Sequence, residues 1–132
     1  MNKLLTIYNI CGLGNKPSIQ TYINNIESIL QQNINQNVAL SACMVDDNVK
    51  KTLYNYFGNK ISYNFIDEIL TVNITYNHTA LCCIKEFGLP QGFVYIDSGV
   101  TFIKKDDLNR VWQQFILAPS CGMITTKATS DN

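Results

Sequence analysis

Two apolar runs in this chain end in carboxylates, and a carboxylate in that place can handle a phosphorylated ligand. Val38 to Val45 leads into Asp46-Asp47, and Phe93-Val94-Tyr95-Ile96 leads into Asp97. Runs rich in β-branched and aromatic residues read as buried strands. In open α/β sheets, ligands bind beyond the carboxyl ends of the strands. An acid there can accept a hydrogen bond from a base or a ribose. It can also hold a hard divalent cation against a phosphate, because such cations take oxygen ligands. Asp97 is therefore a candidate metal ligand. Tyr8, at the end of the first apolar run, offers a flat face for a base. The alternative is structural: Asp46 and Asp47 cap the helix at Val49, and Asp97 belongs to a turn.

These residues need a parallel sheet to bring them to one edge, and the chain is patterned for one. Leu4 to Tyr8 reads as the first strand, and Cys11 to Pro17, with Gly12 and Gly14, as a loop. Ser18 caps a helix reaching about Gln32, with Ile19, Tyr22, Ile23, Ile26, Ile29 and Leu30 on one face. After the second strand, Val49, Leu53 and Tyr56 or Phe57 mark a short helix stopped by Gly58-Asn59. Ile61, Tyr63 and Phe65 alternate as in a half-buried strand, and residues 72–86 read as a helix ended by Gly88 and Pro90. The strand to Asp97 follows, then a helix with Leu108, Val111, Trp112 and Phe115 capped by Asp106 or Asp107. Gly122 to Thr126 reads as a last strand, and Ala128 to Asn132 as a polar tail. Alternating strands and helices predict an α/β fold, a mostly parallel sheet with helices on both faces.

Composition limits the function classes. The 132 residues, 46% hydrophobic and 15% charged, suit one globular domain spanning 1–132. Zero net charge disfavours a dedicated nucleic-acid binder. No apolar run is long enough for a transmembrane segment, and residues 1–20 lack a signal peptide's pattern, so a cytoplasmic location is expected. Five cysteines, an odd number, suggest no disulfide framework. There is no Cys-x-x-Cys, and no spacing ties the single histidine, His78, to a particular cysteine. Cys82 and Cys83 read as packing residues within a helix. Asn77-His78-Thr79 matches a glycosylation sequon that a cytoplasmic chain would not use.

Five segments, in order, resemble the motifs of family 2 glycosyltransferases. Thr6-Ile7-Tyr8-Asn9 resembles the first-strand motif Pro-Thr-Tyr-Asn, and Glu27 to Gln32 the end of the first helix. Met44-Val45-Asp46-Asp47-Asn48 is similar to the second-strand end Val-Val-Asp-Asp-Gly/Asn-Ser. Tyr76 to Ala80 falls where the family has Arg/Lys-Asn-x-Gly, and Phe93 to Gly99 falls on Tyr-Ile-x-Phe-Leu-Asp-x-Asp. The resemblance implies a Rossmann-like GT-A sandwich that binds a nucleotide-sugar donor, with UDP favoured, and a divalent cation, Mn²⁺ or Mg²⁺. By position it makes Tyr8 the residue stacked on the base and Asp47 the acceptor at the base edge. It places Asn77 near the diphosphate, and Asp97 near the ribose and metal.

Gly99 stands where the family's second motif aspartate would, and Tyr76 where it has Arg or Lys. The resemblance ends near Thr126 and implies an apparently truncated donor half, with the family's acceptor half and catalytic base expected to be absent, as in a truncated gene, an excised fragment or one piece of a larger assembly. A glycan, lipid or protein acceptor is left open. Another reading is a non-catalytic interaction module of the same fold, self-associating through an apolar surface around Trp112 and Phe115. A third is a flavodoxin- or receiver-like domain, although no lysine partner follows Asp97 at strand-end spacing.

Overall fold

A computed structural model describes residues 3–118 of the chain. The expected strand Gly122–Thr126 and the tail lie outside the described residues. The elements are β1 (Leu4–Cys11), α1 (Ile19–Leu30), β2 (Gln36–Cys43), α2 (Asp47–Phe57), a 3₁₀ turn (Gly58–Lys60), β3 (Ser62–Ile66), α3 (Val72–Phe87), β4 (Gly92–Ile96) and α4 (Asp107–Ile116). The four strands form one parallel sheet in the order β3-β2-β1-β4. The expected α/β architecture is thus present, with helices on both faces.

Strand alternation sorts the core into two layers. Tyr8 and Ile10 of β1, with Val38, Leu40 and Ala42 of β2, pack with Ile26 and Ile29 of α1 and Leu53 and Phe57 of α2. Leu5, Ile7 and Ala39 face the other way, against Tyr76, Ala80 and Cys83 of α3. Both inner strands are covered on both sides, which is why they read as near-continuous apolar runs. Trp112 of α4 lies against Gly92 at the start of β4, where a Cβ would stand 2.6 Å from the indole.

At the carboxyl edge, two strand ends differ from the sequence reading by two or more residues. β1 runs three residues past Tyr8, pairing Asn9, Ile10 and Cys11 with Ser41, Ala42 and Cys43. Asn9 is a turn-favouring type, but here its buried amide oxygen accepts from Thr75 Oγ1 at 3.0 Å, so a tertiary partner overrides local preference. β2 stops at Cys43, two residues short of Val45. Met44 takes a left-handed φ of 55°, while its N–H bonds the Ile66 carbonyl at 2.8 Å. Gly12 presses on that turn: a Cβ there would lie 1.9 Å from the Met44 oxygen. Only glycine allows the β1–α1 loop so close to the end of β2.

Candidate functional site

In a parallel sheet every strand ends at the same edge. Asp46 and Asp47, Asp67 and Glu68, and Asp97 with Ser98 follow β2, β3 and β4 there, and α1, α2 and α3 begin there. This carboxyl edge is where doubly wound sheets hold ligands. A cleft of about 250 Å³ lies at the opposite edge, lined by residues including Asn37, Asn59, Lys60 and Phe87, with no carboxylate in its wall. The acids make the carboxyl edge the stronger candidate.

The two acids after β2 divide the work. Asp46 is the N-cap of α2, its Oδ1 accepting from the Val49 N–H at 2.9 Å. Such a cap is worth about 1 kcal/mol, so the structural reading holds for Asp46. Asp47 sits in the first helical turn with its side chain 93% exposed. Lys50 approaches it only to 3.9 Å and lies closer to Asp67, at 3.1 Å. Asp47 therefore keeps both oxygens open to a ligand.

Asp97 is exposed directly after β4. Tyr76, buried on α3, donates to the Ile96 carbonyl at 2.7 Å and stands 3.3 Å from Asp97 Oδ1. Burial first, then the Asp97 charge, raises the Tyr76 hydroxyl pKa far above its ordinary value near 10, so it remains a neutral donor. Tyr76 thus anchors the backbone that carries Asp97. Asn77 is exposed in the second turn of α3.

Tyr8 is not the exposed strand-end ring expected from the sequence. The extended β1 places it within the strand, its ring fully buried at 0% exposure. Its hydroxyl donates to the Ser98 carbonyl at 2.5 Å and accepts from Asn25 Nδ2 at 3.0 Å. Burial pushes the hydroxyl up to about 12, partly opposed by the Asn25 hydrogen bond. No ring face is open to a base. Tyr8 instead ties β1 to the segment after β4.

That segment is held by polar residues in and just after α1, for which the sequence reading gave no such role. Asn25, Ser28 and Gln32, spaced three and four apart, form a stripe beside the apolar face. Asn25 Nδ2 donates to Ser98 O at 2.8 Å, and its Oδ1 accepts from Thr101 Oγ1. Ser28 Oγ accepts from the Phe102 N–H at 3.1 Å. Gln32 donates to Lys104 O at 2.8 Å and accepts from the Leu108 N–H at 2.9 Å. Asn25 falls among Tyr22, Ile26 and Ile29 on the buried side of α1. A polar residue at such a position signals a tertiary hydrogen bond. The neighbouring Tyr22 hydroxyl, also buried, has no partner among the described residues.

Cys83 is buried, but Cys82 is exposed. His78 is exposed, 2.9 Å from the Asn64 amide and 4.0 Å from Cys82 Sγ four residues further along α3, so helical spacing joins it to one cysteine, contrary to the expectation. Trp112 is half-buried and stacked on Phe115, while Ile116 and Leu117 are exposed. No three of the metal-ligating types His, Cys, Asp and Glu converge among the described residues. The donor set after β4 is one free carboxylate, since Gly99 has no side chain. A single carboxylate suits the magnesium-type arrangement in which substrate phosphates and water complete the shell. No helix among the described residues is long and apolar enough to cross a membrane. Comparison with known protein families and with curated proteins finds no match to this chain.

Proposed function

We propose that this chain binds a nucleoside diphosphate sugar at the carboxyl edge of its sheet, as the donor-binding part of a GT-A-type glycosyltransferase. The observation that carries this reading is the placement of Asp47 and Asp97. Both are exposed at the ends of β2 and β4, the two strands that flank β1 in the order β3-β2-β1-β4. Asp47 accepts hydrogen bonds from the base edge, which favours uracil. Asp97 holds the ribose or a divalent cation bridging to phosphate. A cation there would neutralise charge on the departing nucleoside diphosphate. Asn77 serves the diphosphate. Tyr8 contributes through the wall of the site and not as a stacking ring.

The test is thermal stability with UDP and UDP-sugars, with and without Mn²⁺. A ligand at one hundred times its Kd adds about 2.7 kcal/mol. Asp47→Ala should remove most of the effect of UDP, and Asp97→Asn most of the added effect of Mn²⁺. No stabilisation by any nucleotide in either condition refutes the reading.

A second reading is a non-catalytic module that assembles with other chains. Two observations favour it: Tyr8, Asn25 and Ser98 close the space beside β1, and Ile116 and Leu117 are exposed beside the Trp112–Phe115 stack. Sedimentation showing self-association without nucleotide supports it, and a clean monomer that binds UDP removes it.

A further inference from the structure

His78 and Cys82 stand one turn apart on α3, on the same side of the helix and both exposed. His78 Nδ1 lies 4.0 Å from Cys82 Sγ. A tetrahedral zinc-type ion, with bonds of about 2.0–2.1 Å to nitrogen and about 2.3 Å to sulfur, holds its two donors about 3.5 Å apart. The pair is thus within a small rotamer adjustment of the bite of a chelate. The Asn64 amide, 2.9 Å from Nδ1 and 2.9 Å from Thr79 Oγ1, reaches over from β3 and holds the imidazole through the same nitrogen that would bind the ion. Giving up the exposed contact to Nδ1 costs about 1 kcal/mol, and Asn64 keeps its bond to Thr79.

We propose that His78 and Cys82 form a two-donor site for a soft or borderline divalent cation of the zinc and cadmium class, with water in the remaining positions. Imidazole and thiolate select such ions over magnesium and manganese. On binding, the Cys82 thiol passes its proton to solvent as the sulfur–metal bond forms, and neutral His78 donates the Nδ1 lone pair. Lys85 and Glu86, one turn further along α3, are of opposite sign, so donor type and not net charge sets the preference. The adjacent Cys83 does not compete, because it is buried in the α3 layer.

Cadmium titration of the whole chain, followed by the thiolate-to-cadmium charge-transfer absorption, tests this. The wild-type protein should show a saturable band that zinc displaces and that excess Mg²⁺ or Mn²⁺ leaves intact. Cys82→Ser should abolish it. His78→Gln breaks the chelate ring and should weaken binding about a hundredfold. Cys11→Ser, which removes another exposed thiol, should change nothing. A band that survives in Cys82→Ser, is lost in Cys11→Ser, or is as tight in His78→Gln as in the wild type overturns the proposal. Both donors are exposed, so the variants should fold, which circular dichroism checks. Nucleotide binding at Asp47 and Asp97 stands or falls separately, since Cys82→Ser leaves those carboxylates in place.

Discussion

Replacing Asn25 with alanine tests how the carboxyl edge is built. Asn25 is 1% exposed and its amide makes three contacts: to Ser98 O at 2.8 Å, to the Tyr8 hydroxyl at 3.0 Å, and from Thr101 Oγ1. Each such bond contributes about 0.5–1.5 kcal/mol net. None of the partners is left stranded, because Ser98 O keeps the Tyr8 hydroxyl and exposed Thr101 can turn to water. The better helix propensity of alanine returns about 0.5 kcal/mol. A small cavity adds to the cost, and the expected loss is about 2–4 kcal/mol. For a domain of this size that lowers Tm by about 10 °C. Urea unfolding should show a lower midpoint at unchanged slope. Amide exchange should quicken at Phe102, whose N–H Ser28 holds, and at Val100, whose N–H bonds the Asp97 carbonyl within the same segment. A loss below about 0.5 kcal/mol, the range of ordinary surface substitutions, refutes the account of Asn25 as the tie between α1, β1 and the segment after β4. So does unchanged exchange from Ser98 to Lys104.

Gly12→Ala should destabilise by about 2–4 kcal/mol in chemical denaturation, because its Cβ would overlap the Met44 carbonyl and the backbone must move; a cost under about 1 kcal/mol would mean the loop shifts freely. Stability should also fall in alkali. Tyr8 is protonated up to about pH 12 when folded and ionises near 10 when unfolded, so the unfolded state binds fewer protons between these values. Its contribution is complete below pH 10 and lost as pH rises toward 12, by about 2–3 kcal/mol. Tyr76 is shifted in the same direction, and the Cys83 thiol, pushed up to about 11 by burial, begins the decline near pH 9. Tyr8→Phe should flatten the limb above pH 10, read as the urea midpoint against pH.

Much of the fold was legible because its signals are local. Ser18 before a 3.6-residue apolar stripe set the start of α1, and Ser18 Oγ accepts from the Thr21 N–H as a cap does. Gly58 and Gly88 marked the ends of α2 and α3 because the backbone there needs positive φ. Of the candidate site, the position of its acids was legible: Asp47 and Asp97 follow strands and are exposed. The end of β1 was not, because Asn9 continues the strand only when Thr75, sixty-six residues later, satisfies its amide. Neither was the burial of Tyr8, which follows from three extra paired residues and from the lid made by Asn25 and Ser98.

The sequence alone determined the periods, the caps and the stops, and with them an alternating α/β chain whose acids follow its strands. These depend on interactions within a few residues. Only the tertiary structure decided that Tyr8 is a core residue, that Asn25 ties α1 to the segment after β4, and that Asn64 of β3 reaches His78. Each of these rests on a partner distant in the chain or on the orientation of a helix face. Spacing along the sequence carries no information about such partners until the sheet order β3-β2-β1-β4 brings them together.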